Sequence, residues 1–295
     1  MKIGIDIGGS HIGLGIVNDS GEIISKVEKN IQKVENMENE LVKNIVQNIE
    51  VLLINENLNI SQIELIGIAV PGVIKQNKIY KCNNLGLNGF NLVEKLEKHF
   101  NTKIQIRNDA KCASMCEKKY GVLKEYKDCV FLCMGTGIGG AVFLQNQLLR
   151  PEETDGFEMG HMVIQKNGKK CSCGNFGCFE TYCSMKNLRT QIINELKLQD
   201  DIKTSDIMYL IEKEEVKKII DEYVENLTVG ITNVINIFEP KAICFGGSLV
   251  YIKDIILPKL EKSLNETNLK FNIENNLKYL TAKYGNDAGI IGSIL

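Results

Sequence analysis

Residues 3–10 read I-G-I-D-I-G-G-S, and residues 130–140 read V-F-L-C-M-G-T-G-I-G-G. Each begins as an apolar run of strand character and ends in a turn of small residues. Each is followed by a second apolar run, Ile12 to Val17 after the first and Ala141 to Leu144 after the second. The two copies lie about 130 residues apart, the length of one domain each. The match is one of pattern, and it suggests a duplicated arrangement. Glycine allows positive φ and close approach of a ligand, and successive N–H groups in such a turn form an anion-binding concavity. Two such turns, with Asp6 before the first, point to a polyphosphate held by both.

Outward from these turns, strand, polar turn and helix alternate. Asn18 to Gly21 reads as a turn and Glu22 to Val27 as a third strand. Leu41, Ile45, Ile49 and Leu52 mark an amphipathic helix over 37–55. Leu65 to Val70 is an apolar strand stopped by Pro71-Gly72. A short helix over 91–100 precedes a strand at 104–106 and a helix at 110–120. Residues 185–237 read mainly as helix, Ala242 to Phe245 as a strand closed by Gly246-Gly247-Ser248, and 288–295 as a short helix. This alternation is α/β organisation.

The bulk numbers fit a chain with a sizeable core: 295 residues, 44% hydrophobic and 24% charged. A net charge of -2 advertises neither a nucleic-acid nor a membrane surface. No run is apolar for long enough to span a bilayer, and Met1 to Gly9 lacks the pattern of a signal peptide. Ten cysteines, seven of them scattered, then predict reduced thiols and a cytoplasmic protein.

Residues 161–180 read H-M-V-I-Q-K-N-G-K-K-C-S-C-G-N-F-G-C-F-E. Thiols Cys171, Cys173 and Cys178, with the imidazole of His161, offer the soft S and N donors that zinc takes in a tetrahedron. Gly174 and Gly177 allow sharp turns between them. Cys183 competes with His161 as the fourth ligand. Glu158 and Glu180 bracket the cluster, and carboxylates there suit hydrogen bonds from sugar hydroxyls. An isolated Glu is more often a solvated charge, so the placement carries this reading. His11 and His99 read as surface or packing residues.

Asn108-Asp109 ends a strand and precedes a helix, the place where α/β sheets bind ligands. Asp109 there suits a base that accepts a hydroxyl proton, as in phosphoryl transfer to alcohols. The plainer reading is a helix cap, and the two are compatible. Gly135 to Gly140 also fits G-x-G-x-x-G, but a dinucleotide fingerprint opens a helix and A-V-F-L-Q-N-Q reads as a strand. No G-x-x-x-x-G-K-[ST] occurs.

Together these segments resemble the ROK family of sugar kinases and sugar-responsive repressors. The carriers are I-D-I-G-G-S at 5–10, V-P-G at 70–72, R-N-D-A at 107–110, G-T-G-I-G-G at 135–140, E-M-G-H at 158–161, C-S-C-G-N-F-G-C-F-E at 171–180 and F-G-G-S at 245–248. The resemblance implies an α/β, actin-like ATPase (ribonuclease-H-like) fold with two lobes around a central cleft. It divides the chain into an N-terminal lobe, 1–108, joined by the C-terminal helix 286–295, and a C-terminal lobe, 109–285, carrying the zinc knuckle.

By the same resemblance, ATP and Mg²⁺ fall to Asp6, Gly8, Gly9 and Ser10, to Gly135, Thr136, Gly137, Gly139 and Gly140, and to Gly246 and Gly247. A hexose falls to Asn84, Asn108, Asp109, Glu158, His161 and Glu180, with Asp109 the catalytic base toward the 6-hydroxyl. Structural Zn²⁺ falls to His161, Cys171, Cys173 and Cys178. Three departures stand out: Ser10 where Thr is usual, Ile74 where an acid often follows Val73, and no Trp over 86–90. The expected activity is ATP-dependent phosphorylation of glucose, with N-acetylmannosamine or another hexose as the alternative acceptor. A sugar-sensing repressor is the further alternative. Such repressors carry a helix-turn-helix segment ahead of the sugar lobes, and the phosphate strand here starts at Ile3. The expected partners are the hexose, ATP and a second copy in a homodimer, with neither nucleic acid nor membrane.

Overall fold

Strand β1 (Lys2–Ile7) alternates faces: Ile3, Ile5 and Ile7 are buried in one core, while Gly4 and Asp6 point to the other side. The computed structural model of the chain describes residues 1–9, 11–31, 34–82, 85–149, 158–266 and 276–295. Ser10 and Asn84 lie outside the described residues. The chain forms two compact units, one of 1–121 with 284–295 and one of 122–149 with 158–283.

In the first unit, β1 pairs antiparallel with β2 (His11–Val17), and β2 antiparallel with β3 (Ile23–Asn30). On its other edge β1 pairs parallel with β4 (Leu65–Val70). Helix α1 (Met37–Asn55) covers the isoleucine face with Leu41, Ile45, Ile49 and Leu52. A small antiparallel sheet, which the sequence reading did not anticipate, follows Pro71-Gly72: β5 (Val73–Lys75), β6 (Lys78–Cys82) and β7 (Leu87–Phe90). Its strands are short, and only Ile74, Ile79, Cys82, Leu87 and Phe90 turn inward, too few for a period to show. Helix α2 (Leu92–Glu97) leads to β8 (Lys103–Asn108), parallel to β4, and then to α3 (Asp109–Lys119).

The second unit repeats the plan. Strand β9 (Cys129–Met134) pairs antiparallel with β10 (Ile138–Leu144), which pairs antiparallel with β11 (Gln147–Leu148). Helices α4 (Phe179–Cys183), α5 (Met185–Leu196), α6 (Ile207–Leu210) and α7 (Glu214–Phe238) follow. Strand β12 (Ala242–Gly246) pairs parallel with β9, and, after α8 (Lys253–Glu266), β13 (Lys278–Thr281) pairs parallel with β12. Among the described residues the two five-stranded sheets run β3-β2-β1-β4-β8 and β11-β10-β9-β12-β13. Order and direction correspond strand for strand, so the repeat read from the glycine turns extends to whole sheets.

Helix α9 (Asp287–Ser293) belongs to the first unit and covers the glycine face of its sheet. Gly4 and Gly67 are register partners on β1 and β4. A Cβ on either would run into the backbone of α9, at Ile290 O and Ser293 O. The first unit also keeps α3, so the division falls after Gly121 and not after Asn108. The cause is burial: Cys112 of α3 packs so closely on Gly292 that no side chain fits between.

Candidate functional site

In the second unit, β9 and β10 are joined by only Gly135-Thr136-Gly137, because buried Ile138 already pairs with Met134. The expected turn over 135–140 is therefore shorter, and Gly139 and Gly140 lie in β10 opposite Cys133 and Leu132. A strand, not a helix, follows the glycines, which excludes the dinucleotide fingerprint. Gly135 N donates to Gly137 O at 2.9 Å. Gly246 ends β12, and Gly247 turns at φ +71 with no room for a Cβ against the Met134 backbone.

The knuckle lies in the same unit. Glu158 precedes a one-turn 3-10 helix, Met159–His161, and its carbonyl accepts from His161 N at 2.9 Å. The chain then pairs Val163 with Cys178 and Lys170 with Phe176 in isolated bridges. Gly174 and Gly177 take φ of +97 and +77, the region open to glycine. Tyr182 Oη accepts from Lys169 N at 2.7 Å and braces the loop on α4. The result gathers one ligand atom each from His161, Cys171, Cys173 and Cys178 within 4.8 Å of one another.

That arrangement fits zinc. Bonds of about 2.3 Å to sulfur set a tetrahedral edge of about 3.8 Å. Cys173 Sγ and Cys178 Sγ are 3.7 Å apart, and Cys171 Sγ lies 3.6 Å from His161 Nδ1. Three thiols and an imidazole are a donor set that zinc takes, and the described cysteines are free of disulfides. Burial raises the Cys171 thiol, but the Cys173 N–H and the neighbouring Cys173, Cys178 and His161 outweigh it and bring it to about 7. Burial, Cys171 and Cys173 push Cys178 up to about 12. Such opposed neighbours suit a cation that would settle all three as thiolates. Cys183 is not a member: it lies inside α4, in the core, with burial raising its thiol far above the usual value. His161 is the fourth member of the cluster, and its Nδ1 is the atom that faces Cys171.

Glu180 is the second residue of α4, and Phe179 N donates to Met162 O at 2.8 Å, so the sequence-distant Glu158–His161 turn and α4 join at one place. Glu180 Oε2 accepts from Ile138 N at 2.9 Å. No sequence signal marks this link, because a backbone N–H has no letter of its own. Glu158 is exposed, and His161 and Glu180 are half-buried.

In the first unit, the cap reading falls on Asn108. Its Oδ1 accepts from Lys111 N at 3.1 Å and its Nδ2 donates to Gly72 O at 3.1 Å. Asp109 is the first residue of α3, with Oδ1 accepting from Ala110 N at 2.8 Å. Burial raises its carboxyl above the ordinary value, partly countered by the N–H groups of Ala110 and Asp109. Asp6 lies on the glycine face of β1, against Gly289 of α9. Burial first, then the Asp109 charge, push it up to about 7, against the opposing pull of Lys26. Gly8 N donates to His11 O at 2.8 Å, which closes the first turn, and Gly9 is exposed.

Among the described residues no helix is long and apolar enough to cross a membrane. The model of the ROK family matches residues 2–295. The glucokinase of Thermotoga maritima is 27% identical over 99% of this chain and 95% of its own. The xylose repressor of Bacillus subtilis is 30% identical over 77% of this chain, and the match spans 59% of that protein. The structure of a ROK family glucokinase from Streptomyces griseus in complex with glucose and AMPPNP superposes with a TM-score of 0.80 at 22% identity, covering 99% of this chain and 97% of that one. At that identity the likeness establishes the shared actin-like fold.

Proposed function

Since the chain belongs to the ROK family over residues 2–295, we propose that it is an ATP-dependent sugar kinase that phosphorylates the 6-hydroxyl of a hexose, with glucose the acceptor. The observation that carries this reading is Asp109. It is a carboxylate at the first position of a helix, at the end of a parallel strand, with its proton affinity raised by burial. A base closer to neutrality accepts a hydroxyl proton more readily as the oxygen attacks the γ-phosphate.

The other residues divide the remaining work. Glu158 and Glu180 accept hydrogen bonds from sugar hydroxyls, and Asn84 and Asn108 add amide contacts. His161 presents Nδ1 to the thiols, which leaves Nε2 for the sugar. Zinc held by His161, Cys171, Cys173 and Cys178 would fix that ring's tautomer and orientation. The turn around Gly9 and the turn Gly135–Gly137 supply N–H groups to the phosphates, and Gly246-Gly247 borders the adenosine. Mg²⁺ near Asp6 would neutralise phosphate charge. The glucokinase from Thermotoga maritima supports glucose. The xylose repressor supports a second reading, a sugar-responsive regulator. The family pattern also suggests a homodimer, which light scattering would test.

An ADP-release assay across glucose, N-acetylmannosamine, N-acetylglucosamine, mannose, fructose and allose tests the proposal. We expect turnover with one of them, glucose first. Sugar binding with no ADP release from any of the six would favour the regulator.

A further inference from the structure

Holding a sugar does not account for where Glu180 sits. Helix α4 starts directly after the zinc ligand Cys178, and Glu180 reaches back from it to the turn between β9 and β10. Its Oε2 takes the Ile138 N–H at 2.9 Å. A Cβ on Gly137 would run into that same oxygen, so the turn has a glycine where the carboxylate lies. Six residues on, Lys186 N donates to Gly135 O at 3.2 Å, and Asn187 Nδ2 donates to Glu180 O at 3.0 Å. The segment around α4 and α5 thus grips the turn at both ends. Gly135 N and Ile138 N are spent on protein acceptors. Among the described residues, the N–H groups of Thr136 and Gly137 between them carry no protein acceptor.

We infer that Glu180 is a positioning residue for the nucleotide: by anchoring Ile138 N–H and filling the space beside Gly137, it sets the turn so that the Thr136 and Gly137 N–H groups serve a phosphate. The inference rests on the reading of Gly135 to Gly137 as a phosphate turn. A bare carboxylate would repel a phosphate. The function therefore lies in the acceptor and its reach, not in the charge, and the charge is what a sugar contact would use most.

Calorimetric titration of the zinc-loaded full chain with a non-hydrolysable ATP analogue and Mg²⁺, without sugar, separates these roles. Glu180→Ala should raise the analogue Kd about tenfold. Glu180→Asp, one methylene short of Ile138, should follow it. Glu180→Gln keeps an oxygen acceptor at full reach and should stay within about threefold of the parent while weakening the sugar. Zinc content and Tm of each variant report whether the knuckle and fold are intact, and Glu180→Asp serves if Glu180→Ala does not fold. An unchanged Kd in Glu180→Ala or Glu180→Asp overturns the inference and leaves the kinase reading standing, as does Glu180→Gln falling as far as Glu180→Ala. A parent protein that binds no analogue overturns both.

Discussion

Asp109 and Asp6 are two partly buried carboxyls in one unit, each raised chiefly by desolvation. Replacing the proposed base, Asp109, while keeping its shape isolates the proton transfer. Asp109→Asn should keep sugar affinity and lower kcat by about 10²–10⁴, and near-parental kcat would refute the assignment. Asp6 makes a statement about stability. Its pKa goes from 3.8 unfolded to about 7 folded, so the folded state holds its proton more tightly. The associated stabilisation is complete below about pH 4 and is lost as pH rises through about 7. In magnesium-free buffer, Asp6→Asn should match the parent at pH 4 and exceed it by about 2–4 kcal/mol at pH 8. Parallel Tm-versus-pH curves for the two proteins would contradict this.

The knuckle shows how an element is specified. Its turns use Gly174 and Gly177 at positive φ, its bridges join Val163 to Cys178 and Lys170 to Phe176, and little apolar surface lies inside the loop, since residues 172–176 are exposed. A loop with so little core would draw its order from a metal held by the cluster. Chelation or Cys173→Ser should release zinc and lower Tm by roughly 5–10 °C. A carefully prepared protein containing no zinc, or a Cys173→Ser variant melting like the parent, would count against the centre.

At the scale of the molecule, two sheets of the same strand order each have their own core, and the first is finished by the last stretch of the chain. Tyr284 N donates to Glu117 Oε1 at 2.9 Å, and Gln105 Nε2 to Ser293 O at 2.6 Å, so the C-terminus is fastened as well as packed. The Gly4 and Gly67 seats make that packing intolerant of a methyl group. Gly67→Ala should destabilise the first unit by about 1–3 kcal/mol. Hydrogen exchange should rise over 2–121 and 284–295 and stay near parental over 122–149 and 158–283. A uniform rise in both units, or none, would show that the seat is not what limits the first unit.

Much of this was legible locally. Apolar runs closed by turn residues marked β1, β2, β4, β9 and β12, the helical spacing marked α1, and donor chemistry with intervening glycines marked the knuckle. All of these are short-range signals, carried by neighbours within a few residues. Tertiary structure decided the rest. It kept Cys183 out of the His161, Cys171, Cys173 and Cys178 cluster by burying it in α4, gave the cap to Asn108, kept α3 with the first unit, and tied Glu180 to Ile138. Those outcomes depend on backbone groups and on surfaces buried by distant segments, and neither is written in the side chains nearby.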